Sequence, residues 1–128
     1  MSNLADAMPF AKLMGIEVVD ASPEKVVARL LVREDLCTAG AILHGGAIMA
    51  FADALGAIGG FLNLAPGART TTIESKTNFL GAARQGATVI GETTPLHVGR
   101  ATSVWRTEIK TTEGKPVAHV IQTQMTLS

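Results

Sequence analysis

Asp53 is the single charged residue between Leu36 and Ala68, the most apolar stretch of the chain. An ionised carboxylate among apolar side chains is costly unless hydrogen-bonded or paired, and no cation stands within a helical turn of it. Such an acid is either a general base or nucleophile, or a structural group satisfied by threonine hydroxyls or backbone amides. A second candidate is His44-Gly45-Gly46, which opens a long apolar run. Amides there fall where no earlier helical turn supplies acceptors, and bare amides at a helix N-terminus suit a developing oxyanion. The plainer alternative is a tight loop-to-helix turn capped by His44. Geometry constrains the pair. Asp53 lies eight residues beyond Gly45, roughly 12 Å along a helix axis. Both cannot reach one carbonyl from the same helix, so a site using both needs Asp53 of one chain to face the Gly45 end of another. The minimal active unit would be a dimer.

Other chemistries find less support. Lysine plus arginine equals aspartate plus glutamate, 11 against 11, which leaves no net field to hold nucleic acid. One cysteine (Cys37) excludes an internal disulfide, and His44, His97 and His119 are too far apart for zinc-ligand spacing, so no metal is expected. The segment from Met1 to Asp6 lacks the basic and apolar regions of a signal peptide. At 128 residues, with 47% apolar and 17% charged, the expectation is one domain over residues 1–128, cytoplasmic and reduced.

Elements that must position these residues can be read from periodicity. Thirteen of the fourteen threonines lie at or beyond Thr70, and β-branched residues prefer strands, so helix comes early and sheet late. Strands are expected at Thr70 to Leu80, Ala87 to Thr94, Ala101 to Thr111 and Pro116 to Leu127. Thr112-Glu113-Gly114-Lys115 forms the hairpin between the last two. Ile16 to Asp20 and Val26 to Val32 add two more, after a short helix around Met8 to Met14. Gly45 to Leu64 reads as one helix, apolar on nearly every face, which must be wrapped by protein or lie in a bilayer. Five glycines, a mid-span aspartate and the lack of flanking basic or aromatic anchors argue against the bilayer. The expected architecture is α+β, a long central helix enclosed by a curved antiparallel sheet, the hotdog arrangement.

Leu43-His44-Gly45-Gly46-Ala47, with Asp53 nine residues after the histidine and Thr72-Ile73-Glu74 opening the next strand, resembles the hotdog-fold acyl-CoA thioesterases. Gly81-Ala82-Ala83-Arg84-Gln85-Gly86, Pro95-Leu96-His97-Val98-Gly99-Arg100 and Val104-Trp105 are similar to the branch acting on 1,4-dihydroxy-2-naphthoyl-CoA and 4-hydroxybenzoyl-CoA. The resemblance runs from Ala41 to Gln124 and has departures. That branch usually carries glutamate where this chain has Asp53, as in the phenylacetyl-CoA type. Ala57 stands where a Ser or Thr is usual one turn on, and Thr38 where an amide is usual. Thr72 matches the strand hydroxyl of the Asp-type enzymes.

The resemblance implies hydrolysis of an aryl or short-to-medium acyl-CoA to free acid and CoA. Asp53 would attack the thioester carbonyl or activate a water, and Gly45 would donate its amide to the oxyanion. Thr72 would orient the water or hold Asp53, while His44 would place the turn near the sulfur. Arg100 and Arg84 are the candidates for the CoA phosphates, with the Val98-Gly99 loop allowing close approach and His97 a further candidate contact. Leu43, Phe51 or Phe61 would meet the acyl group, and Trp105 would pack in the core. CoA enters as part of the substrate, and no separate cofactor is implied. The assembly would be a homotetramer built as a dimer of dimers. A hotdog module that binds acyl-CoA without turnover, or a His-centred hydratase, would share the fold.

Overall fold

The computed structural model describes residues 3–128, so Met1 and Ser2 of the amino-terminal segment lie outside the described residues. Two helices and six strands follow the expected order: α1 (Pro9–Met14), β1 (Glu17–Ser22), β2 (Lys25–Leu31), α2 (Gly45–Leu62), β3 (Arg69–Phe79), β4 (Thr88–Val98), β5 (Thr102–Thr111) and β6 (Pro116–Leu127). Among the described residues the strands form one antiparallel sheet in the order β1-β2-β4-β5-β6-β3. Helix α2 lies across it and packs against β2 through β6.

Local chemistry sets the boundaries. Pro9 starts α1, where its missing N–H costs nothing, and Gly15 ends it in the left-handed region at φ +83°. Gly114 takes φ +91° in the β5–β6 hairpin. Helix α2 stops at Leu62, two residues earlier than expected. Asn63 caps it there, its side-chain amide donating to the carbonyls of Gly59 and Pro23 at 2.9 Å each. Strand β4 runs past its expected end at Thr94 through Pro95-Leu96-His97-Val98. A shift of register between Pro95 and His97 accommodates the proline, which cannot donate to a ladder. Two 3₁₀ turns, Leu4–Ala7 and Glu34–Leu36, are too short to leave a periodic signal.

The sheet curves over α2 and buries one side of it. Ile48, Phe51, Ala52, Leu55 and Ile58 face the sheet and are buried. Gly59 and Gly91 permit this approach. A Cβ on Gly59 would come within 2.8 Å of the Trp105 ring, and one on Gly91 within 2.7 Å of Leu55. The opposite side carries Met49 (40% exposed), Asp53 and Phe61 (63% exposed) in the open. By length and composition α2 could cross a bilayer, but half of it is buried within the chain, as in a core helix. The apolar outer face is continuous in space with β3, an edge strand whose Ile73 and Phe79 are also exposed.

Candidate active site

Asp53 stands on the open side of α2, exposed in the single chain. The expectation of a deeply buried carboxylate is therefore corrected. A helix apolar on every face does not show which face its own chain covers. The carboxylate is nevertheless held, because the Thr72 hydroxyl donates to Asp53 Oδ1 at 2.6 Å. Thr72 reaches it through a bulge in β3. Pairing with β6 runs Thr72 to Gln124 and then Glu74 to Thr123, leaving Ile73 unmatched. Thr70 and Thr72 consequently face the helix side on one phase, and Ser75 and Thr77 on the other.

The helix N-terminus lies two turns away. His44 is the N-cap, and its Nδ1 accepts from the Gly46 amide at 2.8 Å. With Nδ1 accepting that bond, Nε2 is the ring nitrogen left to carry a proton. A Cβ on Gly46 would come within 3.1 Å of the same Nδ1, so glycine is what allows the imidazole to cap so closely. The Gly45 amide, at the first helical position, meets no acceptor among the described residues. It opens on a groove of about 450 Å³ lined by Thr38, Leu43, Phe79 and Ala82. The Thr38 hydroxyl accepts from the Gly40 amide, a local turn, and supplies no side-chain amide to the groove. Both sets sit on one 18-residue helix, so a single chain holds them roughly 12 Å apart along the axis.

The CoA candidates divide between the two ends of β4. Arg84 precedes the strand and pairs by backbone with Ile42, beside the Gly45 groove. Arg100 follows it, in the turn whose neighbour Ala101 accepts from the Thr126 amide of β6. Both arginines are exposed. Eleven strand residues separate their segments, on the order of 30 Å, so one chain does not bring Arg84 and Arg100 together. Val98 and His97 belong to β4 rather than to a loop. His97 lies over Gly99, where a Cβ would come within 2.8 Å of its Nε2.

Of the expected acyl contacts, Phe51 is wholly buried and Leu43 nearly so, which places both in the core. Phe61 lines a groove of about 670 Å³ with Ala57, Leu62, Leu4, Met8 and Thr70. Ala57 is one turn from Asp53, so this apolar space adjoins the carboxylate. Trp105 is buried with its Nε1 donating to Ser103 at 2.8 Å, a packing role. Two polar residues escape a motif search. Gln122 and Gln124 are buried on β6 directly beneath Asp53, in the phase otherwise held by Ala118 and Val120. Polar side chains on the apolar phase of a strand were the available signal.

An acid–hydroxyl pair, an uncapped helix amide and a curved sheet around one long helix agree with the comparisons. The thioesterase superfamily profile matches residues 40–118. A protein of Deinococcus radiodurans, provisionally named an esterase, is 32% identical over 105 residues, covering 82% of this chain and 69% of its own length. The 1,4-dihydroxy-2-naphthoyl-CoA hydrolase of Escherichia coli is 34% identical over 74 residues, 58% of this chain and 54% of that one. Among solved structures, a thioesterase from Haemophilus influenzae superposes with a TM-score of 0.88 at 27% identity, covering 93% of this chain and 82% of that one. The fold and site thus define a hotdog thioesterase. The chain belongs to the thioesterase superfamily, enzymes that hydrolyse thioesters.

Proposed function

We propose that the protein hydrolyses aryl or short-to-medium acyl-CoA thioesters in a site assembled from two copies of the chain. One observation carries this reading. The carboxylate held by Thr72 lies exposed on an apolar helix face, while the uncapped Gly45 amide at the helix N-terminus stands roughly 12 Å away on the same rigid helix. Two antiparallel copies of α2 bring one chain's Asp53 to the other's Gly45. Met49 and Phe61 on α2, with Ile73 and Phe79 on the unpaired edge β3, are the surfaces such a pairing would cover. The same pairing gathers Arg100 with the Arg84 of the second copy. Arg100 lies at the Thr72 end of the sheet and Arg84 at the Gly45 end. Two such dimers would form the tetramer.

In that site the thioester carbonyl accepts from the Gly45 amide, a donor worth about 3 kcal/mol on the tetrahedral intermediate. Asp53 either takes a proton from the attacking water or attacks the carbonyl itself, and Thr72 fixes the oxygen it touches. The C–S bond then breaks, CoA leaves as the thiol and the acyl group as a carboxylic acid. Water is the only co-reactant. The groove beside Phe61 and Ala57 takes the acyl group, and the CoA-hydrolase relative supports aryl substrates. Cytoplasmic placement agrees with the free thiol of Cys37.

A panel of aryl- and alkyl-CoA thioesters, scored by release of free thiol, tests the activity. Turnover of at least one is expected. Binding of the panel without turnover of any member would replace hydrolysis by simple acyl-CoA binding.

A further inference from the structure

Beneath the acid, three polar side chains form a chain with one direction. The Thr72 hydroxyl donates to Asp53 Oδ1 at 2.6 Å. Gln124 Nε2 donates to Thr72 Oγ1 at 2.6 Å, and Thr70 Oγ1 donates to Gln124 Oε1 at 2.9 Å. The carboxylate fixes this polarity. An ionised carboxylate only accepts, so the one proton of Thr72 must point at Asp53. The Thr72 oxygen can then only accept from Gln124, which turns the amide so that its carbonyl faces Thr70. Reversing the amide would oppose two acceptors at 2.6 Å. Gln124 is 1% exposed, and Gly60 leaves room for it: a Cβ there would come within 3.3 Å of Gln124 Cγ and 3.4 Å of the Thr70 hydroxyl.

We infer that Gln124 is a positioning residue for the hydrolysis, holding the Thr72 proton on Asp53 so that the carboxylate is oriented toward the thioester. Thr70 anchors it. This rests on the proposed role of Asp53. A buried glutamine on an apolar strand phase is costly unless its amide is used, and here both ends are used. Without the amide, the Thr72 hydroxyl rotates freely and donates to the carboxylate only part of the time. The carboxylate oxygen then loses its fixed place against the thioester.

The test is a cycle of Gln124→Met and Thr72→Val, singly and together, with kcat and KM measured separately on one thioester that the wild-type enzyme hydrolyses. Gln124→Met keeps the volume of the side chain and removes its donor. The expected result is a kcat loss of about tenfold with KM nearly unchanged, the scale of one hydrogen bond to a charged group. Gln124→Met should add little once Thr72 is Val. Should Gln124→Met fail to fold, Thr70→Val, which frees the far end of the amide, should lower kcat by less, again with KM nearly unchanged. An unchanged kcat in the folded variants, a loss that falls on KM instead, or a Gln124→Met loss as large in the Thr72→Val background as in wild type, would overturn the inference. Asp53→Asn, run beside them, separates the two claims, because its retained activity would remove the role of Asp53 itself.

Discussion

Asp53→Asn keeps the size of the side chain and its bond from Thr72 but removes the nucleophile or base. Turnover should fall at least about a hundredfold, the scale of a lost catalytic base. The melting temperature should hardly change, because the carboxylate is exposed in the chain and has no ion pair among the described residues. Steady-state thiol release and thermal unfolding of the same preparation check both halves, and near-normal turnover would end the role. At this scale, the sequence marked Asp53 by its isolation and the His44-Gly45-Gly46 turn by its glycines. Thr70-Thr71-Thr72 offered three equivalent hydroxyls, and only likeness to known enzymes singled out Thr72. Gln124 was missed because its place on the apolar phase of β6 points to burial and not to what its amide bonds. Its meaning comes from Thr72 and Ser103, which lie opposite it on the neighbouring strands.

Glycines let α2 approach the sheet closely enough to present Asp53 to Thr72. Gly59→Ala would gain helix propensity of about 1 kcal/mol. Its Cβ, however, would stand 2.8–3.1 Å from three carbons of the rigid, fully buried Trp105 ring. Overpacking of that kind costs typically 1–3 kcal/mol, so the variant should unfold at a lower denaturant concentration than wild type. Equal or greater stability in urea unfolding would show that the helix can shift off the sheet at little cost. Strand periods and turn glycines made nearly every element legible from sequence. The extension of β4 through Pro95 was not, since a proline reads as a stop until the shifted register beside it is seen. Nor was it legible that α2 is covered on one side only. Apolar residues on every face mean burial, but they do not say whether the cover is the same chain or another.

In the proposed dimer a second copy covers the open apolar face of α2 and the edge strand β3. It would also supply the Gly45 amide that Asp53 with Thr72 lacks on its own chain, each copy giving both groups. Gly45 has no positive φ, so proline suits this first helical position while removing the N–H. A Cβ there meets the Phe79 ring edge at 3.2 Å, a contact that a small shift relieves. Homo-oligomers of Asp53→Asn and of Gly45→Pro should each be nearly inactive. In a mixed dimer of the two, purified through different tags, one site carries both lesions and the other carries none if the residues meet across the interface. Roughly half the wild-type activity per dimer should then return, the expectation for two equivalent sites of a symmetric pair. A verified mixed dimer no more active than its two parents would contradict the shared site.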